Sequence, residues 1–99
     1  MMSSWNRGPN EVGRSRCLLP NGQVRYGRTV EGTPTSVQVP LIPCPDGKLV
    51  IDHSHPKGIA APSDTDVRSG MNAGARALCI TVPETGVTKC FNLVKGRRR

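Results

Sequence analysis

Aromatic side chains are nearly missing from this 99-residue chain, which carries only Trp5, Tyr26 and Phe91. Proteins that grip single-stranded nucleic acid stack bases on several such rings, so the shortage counts against that class. No stretch approaches the apolar length of a membrane span, and the opening Met1-Met2-Ser3-Ser4-Trp5 has no apolar signal-peptide core. The expectation is a soluble chain, cytoplasmic as given, or delivered as an effector, a phage component or part of a larger assembly. Cys17, Cys44, Cys79 and Cys90 lack the Cys-x2-Cys spacing of a structural zinc site. Internal repeats and low-complexity tracts are missing as well. Acidic residues number 7 against 14 Lys and Arg, and histidine occurs only twice.

With 35% hydrophobic residues, the chain can build one small core. Its pattern places strands first, then one helix, then strands. Residues 11–19 and 23–30 read as a hairpin around Asn21-Gly22, a favoured type I′ pair. Residues 35–42 read as a weaker third strand, at an edge or in an irregular connection, because Pro40 and Pro43 interrupt it. Asp46-Gly47 turns the chain into an apolar, β-branched run, Lys48 to His53. Ser63 to about Asn72 reads as a short helix stopped by Gly74. Residues 75–82 and 87–94 form a final hairpin around Pro83-Glu84-Thr85-Gly86. The fold class is therefore α+β, with a mixed sheet of about five to six strands. A flexible segment is expected over 1–10, a single domain over 11–94 and a basic tail over 95–99.

The two histidines fall within three residues of each other, in His53-Ser54-His55-Pro56. On a strand, residues two apart share a face, so His53 and His55 present two imidazoles side by side. Neutral imidazole is a common zinc ligand, and a catalytic zinc needs three protein ligands and one open position. Asp66 is the candidate third ligand. It sits in the first turn of the expected helix, with Ser63 as N-cap, although Ser-x-x-Asp is also an ordinary capping box.

The joint spacing, His-x-His, seven residues, Ser, two residues, Asp, resembles the JAMM metalloproteases, also called JAB or MPN+ domains, without a gap. The resemblance covers residues 11–93 and is closest to compact bacterial or phage members. It implies a cytidine-deaminase-like JAB-type fold and one Zn2+ held by His53, His55 and Asp66. It also implies that Ser63 assists the polarised carbonyl and that an upstream glutamate handles protons. The reaction would be hydrolysis of a peptide or isopeptide bond by a metal-activated water, on a protein or peptide substrate of which ubiquitin-like proteins are one class. For the glutamate, Glu11 is favoured because Glu11-Val12-Gly13 opens the first strand and compact members carry Glu followed closely by Gly. Glu31 is the alternative, at a strand end before a loop. Only ten residues precede Glu11, where the family usually has a helix, and there is little room for the insertions that grip ubiquitin-like substrates.

Two further readings stand beside this one. The formal net charge of +7 and the arginines at 7, 14, 16, 25, 28, 76 and 97–99 also fit a small basic nucleic-acid-binding module. A JAMM-fold scaffold without catalysis is the other reading. For the cysteines, a four-residue loop after Val82 would set Cys79 opposite Cys90 on neighbouring strands, about 4.5–5.5 Å apart at Cβ and near disulfide range. Free buried cysteine is the commoner state in intracellular proteins, and oxidation of this pair would point to export.

Overall fold

The computed structural model describes residues 9–56 and 60–93. The basic tail expected over 95–99, and most of the segment expected to be flexible over 1–10, lie outside the described residues. The described chain is an α+β fold with one helix and a six-stranded mixed sheet. Its elements are β1 (Val12–Leu18), β2 (Val24–Tyr26), β3 (Val30–Glu31), β4 (Lys48–Ser54), α1 (Asp64–Asn72), β5 (Ala77–Val82) and β6 (Val87–Asn92). The sheet runs β2-β1-β4-β5-β6, and β3 pairs with β1. The β4–β5 pair is parallel, joined by α1 as a crossover, and the other pairs are antiparallel.

Alternation along β1 sorts its side chains. Ser15 and Cys17 are buried on one face, while Arg14 and Arg16 point to the other and are half-buried. Register carries this sorting across the sheet: Gly13 lies opposite His53, Ser15 opposite Ile51, and Ile51 beside Leu78. The face that includes His53 holds the main core of Ile51, Leu78, Ile80, Val82 and Leu93, against which Val67 and Met71 of α1 pack. The other face carries a smaller cluster of Val50, Ala77 and Cys79.

Two expectations need correction. The Asn21-Gly22 turn is not type I′, which requires positive φ at both central residues. Only Gly22 is left-handed, at φ 91°, and its N–H donates to Leu19 O at 3.0 Å. Pro20 fixes a negative φ, so the turn starts one residue earlier, at Leu19. The expected strand at 23–30 breaks at Gly27, whose N–H donates to Ser15 O at 2.8 Å; a Cβ there would lie 2.7 Å from Ser15 Oγ. Residues 35–42 form no strand, which realises the irregular alternative.

That irregular segment is nevertheless fixed. Ser15 Oγ donates to Pro40 O at 2.8 Å, and a disulfide joins Cys17 to Cys44. Val37 and Val39 press on Gly13, where a Cβ would lie 2.7 Å from Val39 Cγ2. Gly13 is needed for this close approach. A second disulfide joins Cys79 to Cys90, which face each other in register as the loop spacing suggested. All four cysteines are thus oxidised, and the free-thiol state expected for an intracellular chain is not what forms. Among the described residues, no helix is long and apolar enough to cross a membrane.

Candidate metal centre

Three stretches far apart in sequence meet at one end of the sheet. Glu11 precedes β1 and is held by its backbone: its N–H donates to Thr33 O and its carbonyl accepts from Gly32 N–H, both at 2.8 Å. His53 lies near the end of β4. His55 follows just beyond the strand and stays extended because its N–H donates to Thr81 O at 2.8 Å. Ser54, between the histidines, points to the opposite face, as a pleated strand requires. It is fully buried, and its Oγ accepts from Val12 N–H at 2.8 Å. The residue between the two histidines thereby fixes where β1, and with it Glu11, starts.

Asp66 arrives from the first turn of α1. The helix begins as expected, with Ser63 as N-cap and Gly74, at φ 81°, just past its end. A capping box is formed: Ser63 Oγ accepts from Asp66 N–H and an Asp66 carboxylate oxygen accepts from Ser63 N–H, each at 3.1 Å. The cap and the candidate ligand are one side chain. The box turns the Asp66 carboxylate back toward the strand, where Oδ1 lies 3.6 Å from His53 Nδ1 and Oδ2 lies 3.3 Å from His55 Nε2. Glu11 Oε2 is 4.0 Å from His55 Nε2.

These separations fit a metal. Tetrahedral N and O donors at about 2.0–2.1 Å from zinc stand about 3.3–3.4 Å apart, close to both His–Asp distances. Donor atoms of Glu11, His53 and Asp66 lie within 4.8 Å of one another. Glu11 Oε1 and His53 Nδ1 are buried without a hydrogen-bond partner. Buried polar atoms are normally satisfied, so these two are exceptions, and both belong to the group whose donor atoms lie within 4.8 Å of one another.

The electrostatics separate the two carboxylates. Burial pushes the Glu11 carboxyl above its ordinary value and Asp66 adds to the rise, outweighing the attraction of His55 and His53. Burial also opposes ionisation of Asp66. There the His53 imidazole and the hydrogen bond from Ser63 N–H prevail, and its carboxyl lies well below the usual range. Asp66 is thus a firm anion and Glu11 a carboxylate that takes a proton more readily than usual.

All five expected residues, Glu11, His53, His55, Ser63 and Asp66, therefore meet. Glu31 does not join them. It pairs with Val12, which alternation puts on the face away from Glu11, and its exposed carboxylate accepts from Asn10 Nδ2 at 2.7 Å. The proposed basic footprint loses two members to the same alternation. Arg16 and Arg14 hold the buried Asp52 at 2.9 and 3.3 Å, and Arg14 also stacks 4.4 Å over the Tyr26 ring. Residues 7 and 97–99 of that footprint lie outside the described residues.

The centre opens on two clefts that share Thr35, Ser63 and Asp66. One, about 630 Å3, holds Glu11 and His55 among Pro9, Pro34 and Pro56. The other, about 580 Å3, runs from His53 between α1 and the irregular segment. The wall formed by that segment was missed in the sequence, which gives it no periodicity. No protein-family model matches this chain, and neither does any curated protein or solved structure.

Proposed function

We propose that the chain is a zinc-dependent hydrolase of peptide or isopeptide bonds, built on a JAB-type domain and working as JAMM proteases do. The observation that carries this reading is the convergence of Glu11, His53 and Asp66, with His55 Nε2 3.3 Å from Asp66 and 4.0 Å from Glu11, and with Glu11 Oε1 and His53 Nδ1 buried without a hydrogen-bond partner. His53, His55 and Asp66 would hold the metal through two nitrogens and one firmly ionised carboxylate. Zinc bound there supplies a water acidified toward neutral pH and polarises the scissile carbonyl. Glu11, raised by burial, accepts the proton of the attacking water and returns it to the leaving nitrogen. The Ser63 Oγ lone pair is engaged by Asp66 N–H, which leaves the hydroxyl proton to donate to the developing oxyanion. No side chain attacks the carbonyl, so chelators inhibit and thiol traps do not. The two disulfides favour action in an oxidising compartment over the cytoplasmic location first expected.

Metal analysis after exhaustive dialysis tests this, with hydrolysis of a peptide mixture followed by mass spectrometry. The expected result is one zinc per chain, lost in His53→Ala and Asp66→Ala but kept in Glu11→Gln, with hydrolysis lost in all three. A wild-type protein that binds no zinc overturns the proposal.

A further inference from the structure

The cleft of about 580 Å3 beside His53 has a consistent construction. Its floor is Ile51 and Leu78 from the core face of the sheet. One wall is the irregular segment, through Val37, Val39 and Leu41. The other is the face of α1 bearing Asp66, Ser69 and Ala73, spaced three and four residues apart so that they line one side of a helix. Ser69 and Ala73 are small, which keeps the space open. The cleft ends on His53, 7% exposed, whose Nδ1 has no hydrogen-bond partner. Thr35, Ser36, Gln38 and Thr65 add polar groups to the lining, and a cleft of this volume that combines an apolar wall with polar groups has the make-up of a small-ligand pocket.

The placement of Glu11 gives the trough a direction. Glu11 lies in the other cleft, with His55 and the three prolines. The group that returns a proton to the leaving nitrogen must stand beside that nitrogen, so the leaving amine occupies the Glu11 side. The acyl part of the substrate then extends toward Val37, Val39 and Ala73. We infer that this trough is an acyl-side specificity pocket, and that the substrate is a peptide with a bulky apolar side chain, such as Leu, Met or Phe, at the residue whose carbonyl is cleaved. The inference rests on the hydrolase reading. It excludes a preference for glycine at that position, since glycine would leave Leu41, 49% exposed, and the half-buried Val37 and Val39 uncovered.

The test uses the full zinc-loaded chain and a peptide set that differs only at the acyl-side residue. Cleavage after Leu, Met or Phe is expected to exceed cleavage after Gly by about tenfold or more in kcat/KM, the range a hydrophobic pocket supplies. Ser69→Phe fills the trough from an exposed helix position, so folding is little affected, and Ala73→Leu fills it from the helix end. Both should erase or invert the preference while zinc content stays at one per chain. A second readout needs no turnover: N-acetyl tripeptide acids ending in Leu or Gly, titrated into metal-free protein, should shift NMR signals of Val37, Val39 and Ala73 for Leu only. Zinc-dependent cleavage with no apolar preference, or a preference both variants leave intact, overturns the pocket and spares the hydrolase. If zinc or cleavage is absent, the hydrolase reading falls, and the tripeptide titration decides the trough by itself.

Discussion

Removing the Cys17–Cys44 disulfide should be the most damaging change that leaves every candidate ligand in place. The bridge closes a span of 27 residues, and chain-entropy arguments for a loop of that length give about 3.5 kcal/mol. Cys79–Cys90 closes only 11 residues and gives about 2.8 kcal/mol. Cys17 is 1% exposed, so deleting its sulfur also opens a small cavity, and the first figure is a floor. In a domain of this size, 1 kcal/mol moves the melting midpoint by about 4–8 °C, so Cys17→Ala with Cys44→Ala should lower it by about 14–28 °C. The longer loop is also the one that forms the trough wall, which is tied near that end by the hydrogen bond from Ser15 Oγ to Pro40 O. The double variant should therefore keep its zinc but lose its discrimination at the acyl-side residue. The assay is thermal unfolding by circular dichroism without reductant, run beside Cys79→Ala with Cys90→Ala and beside wild type with reductant. Free thiols titrating in denatured wild type, or a midpoint that the 17/44 pair leaves unchanged, would refute the reasoning.

The remaining predictions concern the site and its supports. In metal-free protein, Glu11→Gln should melt higher than wild type at pH 7: burial raises this carboxyl above 4.5, and the stabilisation from a raised folded-state value is fully present below the unfolded value and lost as pH rises through the folded one. The gap should close as melts are repeated toward pH 4. Asp66→Asn should do the opposite, because a lowered carboxyl stabilises above its ordinary 3.8; the variant melts lower at pH 7, with the difference fading in strong acid. Ser54→Ala strands the buried Val12 N–H and should cost about 1–3 kcal/mol in urea unfolding, with turnover falling further than zinc affinity because Glu11 is displaced. Gly13→Ala drives a Cβ to 2.7 Å from Val39 Cγ2 and 3.2 Å from Asp52 O, which should cost about 1–3 kcal/mol and loosen the trough wall.

Much of the fold was readable from local chemistry. The helix ends are set by Ser63, whose hydroxyl caps a first-turn N–H, and by Gly74, which adopts a left-handed conformation at little cost. The final hairpin was readable because a four-residue loop fixes which residues oppose each other, and that placed Cys79 against Cys90. The first hairpin was misread by one residue, since Pro20 constrains the backbone more strongly than the Asn-Gly preference does. Cys17–Cys44 could not be read at all. Its second cysteine lies in a proline-interrupted stretch with no period, and the path of such a stretch is decided by what it touches.

The sequence by itself determined the donors of the candidate centre. Two histidines two residues apart at the end of a β-branched run share a face, and an aspartate at the third helix position turns back on its own N-cap, because strand pleat and helix capping are local. Tertiary structure decided which glutamate joins them, since Glu31 on β3 pairs with Val12 and so lies on the sheet face away from Glu11, a placement set by strand pairing. It also decided that Arg14 and Arg16 would hold Asp52 instead of facing solvent, and that an unpatterned segment would become a cleft wall. These outcomes depend on register and on close approach over Gly13, contacts between residues far apart in the chain that local patterning does not encode.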